Sequence, residues 1–243
     1  MKFSKAAPVA IAMLGAGGTG GHAAPNVYRL LHSLRRPSAF TVCDGDLVER
    51  KNLVRQNFVE ADLGRNKAQV IAKRYARAFG TEASYLPEFV ESREALERLF
   101  RGGLRGENRD GRLNILLGCV DNNRSRRVCH EAFMAADNLV YIDAGNGEST
   151  GQVVCGVRLG GRTASPPVGE LHPEILEDGG ALPSELGCAE AAMSAPQSMA
   201  ANIMAAAAMA SMLYGLLAAG EIRAARATFS AASVSMKAVA IGG

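Results

Sequence analysis

The chain has 243 residues, 48% hydrophobic and 21% charged, which suits one globular domain with a sizeable core. Its formal net charge is only +3, its basic residues are scattered apart from Arg124, Arg126 and Arg127, and it has no tryptophan. Bulk electrostatics therefore requires neither a nucleic-acid nor a membrane partner, and the scarcity of aromatics argues against a base-stacking platform. Five cysteines, at 43, 119, 129, 155 and 188, form no CxxC pair. That argues against a zinc ribbon and for reduced, mostly buried thiols.

Lys2 and Lys5 precede an apolar run that leads directly into a glycine loop rather than a small-residue cleavage site. No signal peptide is expected, and a cytoplasmic location is. Pro8 to Leu14 reads as a buried strand, Gly18 to Leu34 as a helix and Ala39 to Cys43 as a second strand. Helical spacing runs from Gly64 to Phe79, a short strand is expected at Ala83 to Leu86, and a helix at Ser92 to Phe100. Residues 102–112 read as an exposed loop. Leu113 to Val120 is the strongest buried strand, followed by a helix at Arg124 to Ala136 and strands at Leu139 to Asp143 and Gly151 to Leu159.

Residues 160–196 collect glycines and prolines without periodicity. Gln197 to Ala219 reads as one long helix; it is long enough to span a bilayer but Ala-rich, so a packed core or interface helix is expected. Ala227 to Ile241 reads as a terminal hairpin. The alternation predicts an α/β fold: a Rossmann-like, mostly parallel sheet with helices on both faces, plus a C-terminal long helix and β-hairpin. It is read as a single domain, with residues 1–157 as a nucleotide-binding core and 158–243 as a variable loop, long helix and hairpin.

The first strand ends in GAGGTGG, where Gly15, Gly17 and Gly20 form a GxGxxG and Gly18 lies between them. Glycines there let backbone N–H groups approach phosphate or ribose, and the following helix N-terminus adds positive potential. Asp44 ends the second strand, 24 residues beyond Gly20, where a carboxylate accepts from ribose hydroxyls. These features alone permit NAD, FAD or ATP equally. The next stretch decides between them: Asp44, Asp46, Asn52, Arg55, Gln56 and Lys67 fall within 24 residues. An arginine fork and a lysine point charge suit a triphosphate and are not needed here in a redox dinucleotide site. Asp121 ends the strongest strand, where a carboxylate faces the ligand crevice and is able to hold Mg²⁺.

GAGGTGG, DGDLVERKNLVRQ, the lysine opening the next helix, and VDNNRSRR occur in this order. On them the chain resembles the ThiF family, of the superfamily of ubiquitin-activating and molybdopterin-synthase-activating enzymes, over residues 8–157. IDAGNGESTGQVVCG and the later Cys-Ala-Glu-Ala are most similar to the ThiF-family member of PRTRC plasmid cassettes. The resemblance implies an adenylyltransferase that uses ATP and Mg²⁺ to activate the C-terminal glycine carboxylate of a small ubiquitin-like β-grasp protein. In it Asp44 binds ribose, Asn52, Arg55 and Lys67 hold the triphosphate with support from Gln56, and Asp121 holds Mg²⁺. Asn122, Asn123 and Arg124 cap or support the helix after Asp121, Arg124 being also within possible reach of the site, and His22 is a helix-start residue.

The resemblance further implies a homodimer and a partner tail running past Gly145, Gly147 and Gly151. Relatives often carry an N-terminal arm with an arginine that acts in the other protomer; here only Lys2 and Lys5 precede the first strand, leaving Lys5, Arg29 or Arg124 as substitutes. Zinc is not expected. Cys188 is the candidate for a thioester, with a structural thiol as the equal alternative, because Glu185 and Glu190 flank it. The other cysteines read as core. A nucleotide-binding scaffold without catalysis and an NAD-binding oxidoreductase are the competing functional readings.

Overall fold

The computed structural model describes residues 1–100, 111–177, 184 and 197–241. Strand β1 (Val9–Leu14) passes through the glycine loop into helix α1 (Gly18–Leu34) and then β2 (Ser38–Cys43). Two 3-10 turns, Arg50–Val54 and Glu60–Asp62, lead to α2 (Lys67–Phe79), β3 (Ser84–Leu86) and α3 (Arg93–Arg98). Next come β4 (Leu113–Gly118), α4 (Asn123–Ala135), β5 (Leu139–Asn146), β6 (Thr150–Leu159) and β7 (Arg162–Ser165). One-turn helices α5 (Val168–Leu171) and α6 (Glu174–Glu177), the long α7 (Met199–Tyr214) and the hairpin β8 (Ala224–Ser230)–β9 (Ser235–Ala240) complete the described elements.

The strands form one sheet in the order β3-β2-β1-β4-β5-β6-β8-β9, with β7 beside β6. The first five are parallel and the remainder antiparallel. The chain therefore steps from β1 outward through β2 and β3, then returns to the other side of β1 with β4. Such a reversal opens a crevice beyond the strand ends. β1 is buried on both faces, which is why it reads as an unbroken apolar run. Val9, Ile11 and Met13 pack with residues of α1, α2 and α7, while Ala10, Ala12 and Leu14 pack with those of α3 and α4.

Side-chain caps set several helix starts. Asn66 Oδ1 accepts from Gln69 N at 2.9 Å, so α2 begins three residues later than its apolar spacing suggests, after Gly64 in the left-handed region (φ +76°). Ser198 Oγ accepts from Ala201 N at 3.1 Å, which moves the start of the long helix to Met199; its last turn, Gly215–Ala219, is π-helical. β5 continues past Asp143 to Asn146, because β6 returns through a tight turn in which Gly147 N donates to Thr150 O at 2.9 Å. The stretch read as patternless holds β7, α5 and α6, too short to show a period. The hairpin begins at Ala224, not Ala227.

Among the described residues, Met199–Ala219 is a helix long and apolar enough to cross a membrane. Here Ala201, Ala205, Ala206, Met209 and Leu213 are buried in the main core, and small residues let the helix lie close against α1. A Cβ on Gly18 would sit 2.3 Å from Asn202 Nδ2. The glycine loop is tighter still, since a Cβ on Gly20 would lie 1.9 Å from Gly15 O. Gly20→Ala is expected to lower the unfolding free energy by about 1–3 kcal/mol through overpacking. Gly147→Ala, which meets nothing within 4 Å, is expected to change it by less than about 0.5 kcal/mol. Urea midpoints of the two variants check this.

Candidate functional site

A cavity of about 320 Å³ lies beyond the ends of β1 and β4, within the size range of small-molecule sites. Gly15, Gly17 and Gly18 form its floor, and Asp44, Asp46, Arg55, Gln56 and Lys67 one wall. Asp121 and Asn122 line the side beneath β4. Ten of the residues singled out in the sequence thus meet in one cleft. Gly20 and Asn52 are not among its lining residues. Gly20 packs against Gly15, and Asn52 Oδ1 accepts from Glu49 N at 2.8 Å while its carbonyl receives Gln56 N at 2.9 Å. Asn52 thus shapes the turn that presents Arg55 and Gln56. Arg124, Arg29, Lys5 and His22 do not line the cleft either. Lys5 precedes β1, at the opposite edge of the sheet, and burial lowers the His22 pKa against a partly offsetting contact with the Arg55 backbone.

The second strand end is fixed by its own carboxylate. Asp44 Oδ2 accepts from Ala16 N at 2.6 Å, and Oδ1 from Asp46 N at 2.9 Å. Burial pushes the Asp44 carboxyl up to about 6, with Lys67 and the two N–H groups pulling against it and Asp46 adding to it. Lys67 is the first residue of α2; its side chain is 7% exposed, and Nζ donates to Asp46 Oδ2 at 2.7 Å. Asn66 Nδ2 ties the loop down by donating to Asp44 O at 2.7 Å and Asp46 O at 3.1 Å.

Arg55 Nη1 donates to Gln197 Oε1 at 3.0 Å. Gln197 Nε2 reaches Asn146 O at 3.4 Å, and the Asn146 side chain joins Thr19 Oγ1 at 3.0 Å and Asn202 Oδ1 at 2.9 Å. The start of α7 is thereby tied to the glycine loop. Among the described residues, Gln56 Oε1 and Asn202 Nδ2 are buried beside that loop with no hydrogen-bond partner. Gln197, Asn146 and Thr19, all lining the cleft, were not singled out in the sequence; nor were Glu88, Phe89 and Val90, which wall it beyond β3. Phe89 packs over Gly45, where a Cβ would lie 2.6 Å from the ring.

Asn122 is the N-cap of α4, its Oδ1 accepting from Ser125 N at 2.8 Å. Below the cleft, Arg126 Nε donates to Asp143 Oδ1 at 3.1 Å, in an ion pair whose side chains are 11% and 1% exposed. Burial works to lower the Arg126 pKa, but Asp143 and Tyr141 more than offset it, leaving it raised. Gly145 lies within β5 beside Arg126, Gly147 is open, and Gly151 is covered by Phe229.

Cys43 and Cys119 also line the cleft, a correction for Cys119, which lies just past β4 and not within it. Burial drives the thiols of Cys43, Cys129 and Cys155 up to about 12 and Cys119 up as well, so none of these four is poised as a thiolate. Cys188, Glu185 and Glu190 lie outside the described residues.

The family comparison agrees with this geometry. A family model described as "ThiF family" matches residues 3–240, and the chain belongs to the ThiF family. Among curated proteins, none matches at a significant level. Similar solved structures include PaaA (TM-score 0.65, 17% identity, covering 98% of this chain and 65% of that one). Another is Escherichia coli MccB with AMPCPP and MccA (TM-score 0.62, 19% identity, 98% and 64% covered). A third is E. coli MccB with ATP (TM-score 0.62, 18% identity, 98% and 64% covered). The chain spans a little under two thirds of these structures, and at such identities they show a shared fold.

The raised Asp44 carboxyl has a sign that is open to measurement. Its folded pKa of about 6 lies above the ordinary aspartate value of 3.8. Its stabilising contribution is therefore fully present below about pH 4 and lost as pH rises through about 6, on the order of 3 kcal/mol in all. Relative to wild type, Asp44→Asn is expected to gain stability between pH 4.5 and 7.5. Urea unfolding at the two pH values checks it, and a pH-independent difference contradicts it.

Proposed function

We propose that the chain binds ATP in this cleft and adenylates the C-terminal glycine carboxylate of a small ubiquitin-like β-grasp protein. The observation that carries the reading is the meeting of Arg55, Lys67 and Asp121 on one cavity floored by a glycine turn. One guanidinium and one ammonium suit phosphate oxygens, and the buried Asp44 suits a ribose. The MccB complexes with ATP and AMPCPP, proteins of the same fold, support a nucleotide here. Asp121, exposed and lining the same cleft, is a hard oxygen ligand of the kind that holds Mg²⁺ together with substrate phosphates and water. The cation, when bound, supplies charge neutralisation at the phosphates.

In this reading the partner's carboxylate oxygen attacks the α-phosphorus, the bond to the β-phosphate oxygen breaks, and pyrophosphate leaves with its charge compensated by Arg55 and Lys67. The protein contributes positioning and electrostatics and no covalent step. Asn52 acts through the turn it closes. The tail would approach over Gly145 and Gly147, where little side-chain bulk stands in the way. We place the chain nearest the PRTRC branch of the family on IDAGNGESTGQVVCG, with a cytoplasmic location. Onward thioester transfer through Cys188 is the optional second step. We also propose a homodimer through the uncharged outer face of α7, where Met199, Ile203 and Tyr214 are 52%, 44% and 62% exposed.

Arg55→Ala and Lys67→Ala are each expected to weaken ATP binding by about 10- to 100-fold, the loss of one charge-assisted interaction, with NAD failing to compete. Isothermal titration with the purified protein measures this. Exchange of labelled pyrophosphate into ATP, dependent on a β-grasp protein ending in glycine, tests the chemistry. Tight ATP binding without exchange favours a scaffold, and tight NAD binding that survives Lys67→Ala contradicts the reading outright.

A further inference from the structure

Arg126 does not line the cleft, yet its guanidinium brackets the one carboxylate expected to hold a cation there. Nη2 donates to Val120 O at 2.7 Å, immediately before Asp121, and Nη1 to Asn123 Oδ1 at 3.3 Å, two residues after it. The same Nη2 reaches across to Ala144 O at 3.3 Å on β5, and Nε is held by Asp143 Oδ1 at 3.1 Å. Val120 and Ala144 both line the cavity, so one side chain spans the crevice floor from the end of β4 to the end of β5.

The counterion is itself fixed. Tyr141 Oη donates to Asp143 Oδ2 at 2.7 Å. Room for the carboxylate exists only because β4 ends in glycine: a Cβ on Gly118 would sit 2.4 Å from Asp143 Oδ2 and 3.0 Å from the Tyr141 ring. Desolvating an ion pair this deeply is expensive, and apolar side chains of similar volume often serve stability as well or better. A pair placed directly beneath Asp121 and built at that cost fits a role in geometry more than in folding.

We infer that Arg126 is a positioning residue: locked on Asp143 and Tyr141, it sets the separation of the β4 and β5 ends and so holds the Asp121 carboxylate where a nucleotide-bound divalent cation needs it. This rests on the ATP reading above. A plain clamp between β4 and β5 would serve only the fold, and the two roles separate experimentally.

The triple variant Arg126→Met, Tyr141→Phe, Asp143→Leu removes the ion pair and the tyrosine hydroxyl at near-constant volume. Its thermal midpoint is expected to match or exceed wild type. Its ATP affinity in EDTA is expected within twofold of wild type, while the Mg²⁺ concentration that half-maximally strengthens ATP binding rises at least tenfold, as in Asp121→Asn. A triple variant with the wild-type Mg²⁺ half-point overturns the inference. If the triple variant does not fold, Arg126→Lys, which keeps the charge but is unable to bracket both strands, is expected to show the same Mg²⁺ shift at an unchanged midpoint; an unshifted half-point there overturns it. Wild-type protein that binds no ATP, with or without Mg²⁺, fails the nucleotide reading itself and is recognised before any variant is made.

Discussion

The turn between β1 and α1 has no room for a side chain, and the rest of the site is arranged around that exclusion. A Cβ on Gly15 would lie 2.4 Å from Cys119 O, one on Gly20 1.9 Å from Gly15 O, and one on Gly18 2.3 Å from the Asn202 amide. Two elements far apart in sequence, the end of β4 and α7, are thereby pressed against one loop. Close approach of this kind aims backbone N–H groups at a ligand, and one of them, Ala16 N, is already held by the Asp44 carboxylate at 2.6 Å. The carboxyl tolerates its burial only because two N–H groups and Lys67 offset part of the desolvation.

The two cations of the cleft are not idle in the free protein. Lys67 is held by Asp46 and Arg55 by Gln197. A buried lysine with no partner would be strongly disfavoured, and each charge has a local acceptor, which on the proposed function a phosphate displaces or shares. For Arg55 that acceptor is Gln197, two residues before α7, and Gln197 continues to Asn146, Thr19 and Asn202. The Arg55 charge and the C-terminal helix therefore belong to one hydrogen-bonded unit, and an anion that takes Arg55 acts on the anchoring of α7.

Much of this was legible in the sequence where the physics is local. β1 and β4 read clearly because strands buried on both faces are unbroken apolar runs, and the glycines, Asp44, Lys67 and Asp121 sit beside strand ends or helix starts where spacing fixes their direction, while Arg55 closes a short 3-10 turn. What was not legible depends on contacts between distant segments. Gln197 and Asn202 sit in a stretch whose sequence shows only an Ala-rich helix, and their meeting with Gly18 is made by packing. Arg126 was visible only as one of three neighbouring arginines, its importance hidden until β5 placed Asp143 beside it. Asn52 was read as a ligand residue because its position suited one, but its side chain closes a backbone turn. The strand β7 and helices α5 and α6 are four residues each, too short to repeat a pattern.

The central claim is that the cations gathered at the glycine turn are there for a triphosphate. A crystal structure of the protein with a non-hydrolysable ATP analogue and Mg²⁺ tests it most directly. The account predicts the ribose on Asp44, the phosphates over the glycine turn, Arg55 turned from Gln197 toward them, and Asp121 on the cation. Phosphates bound elsewhere, with Arg55 still on Gln197 and Lys67 still on Asp46, would contradict it.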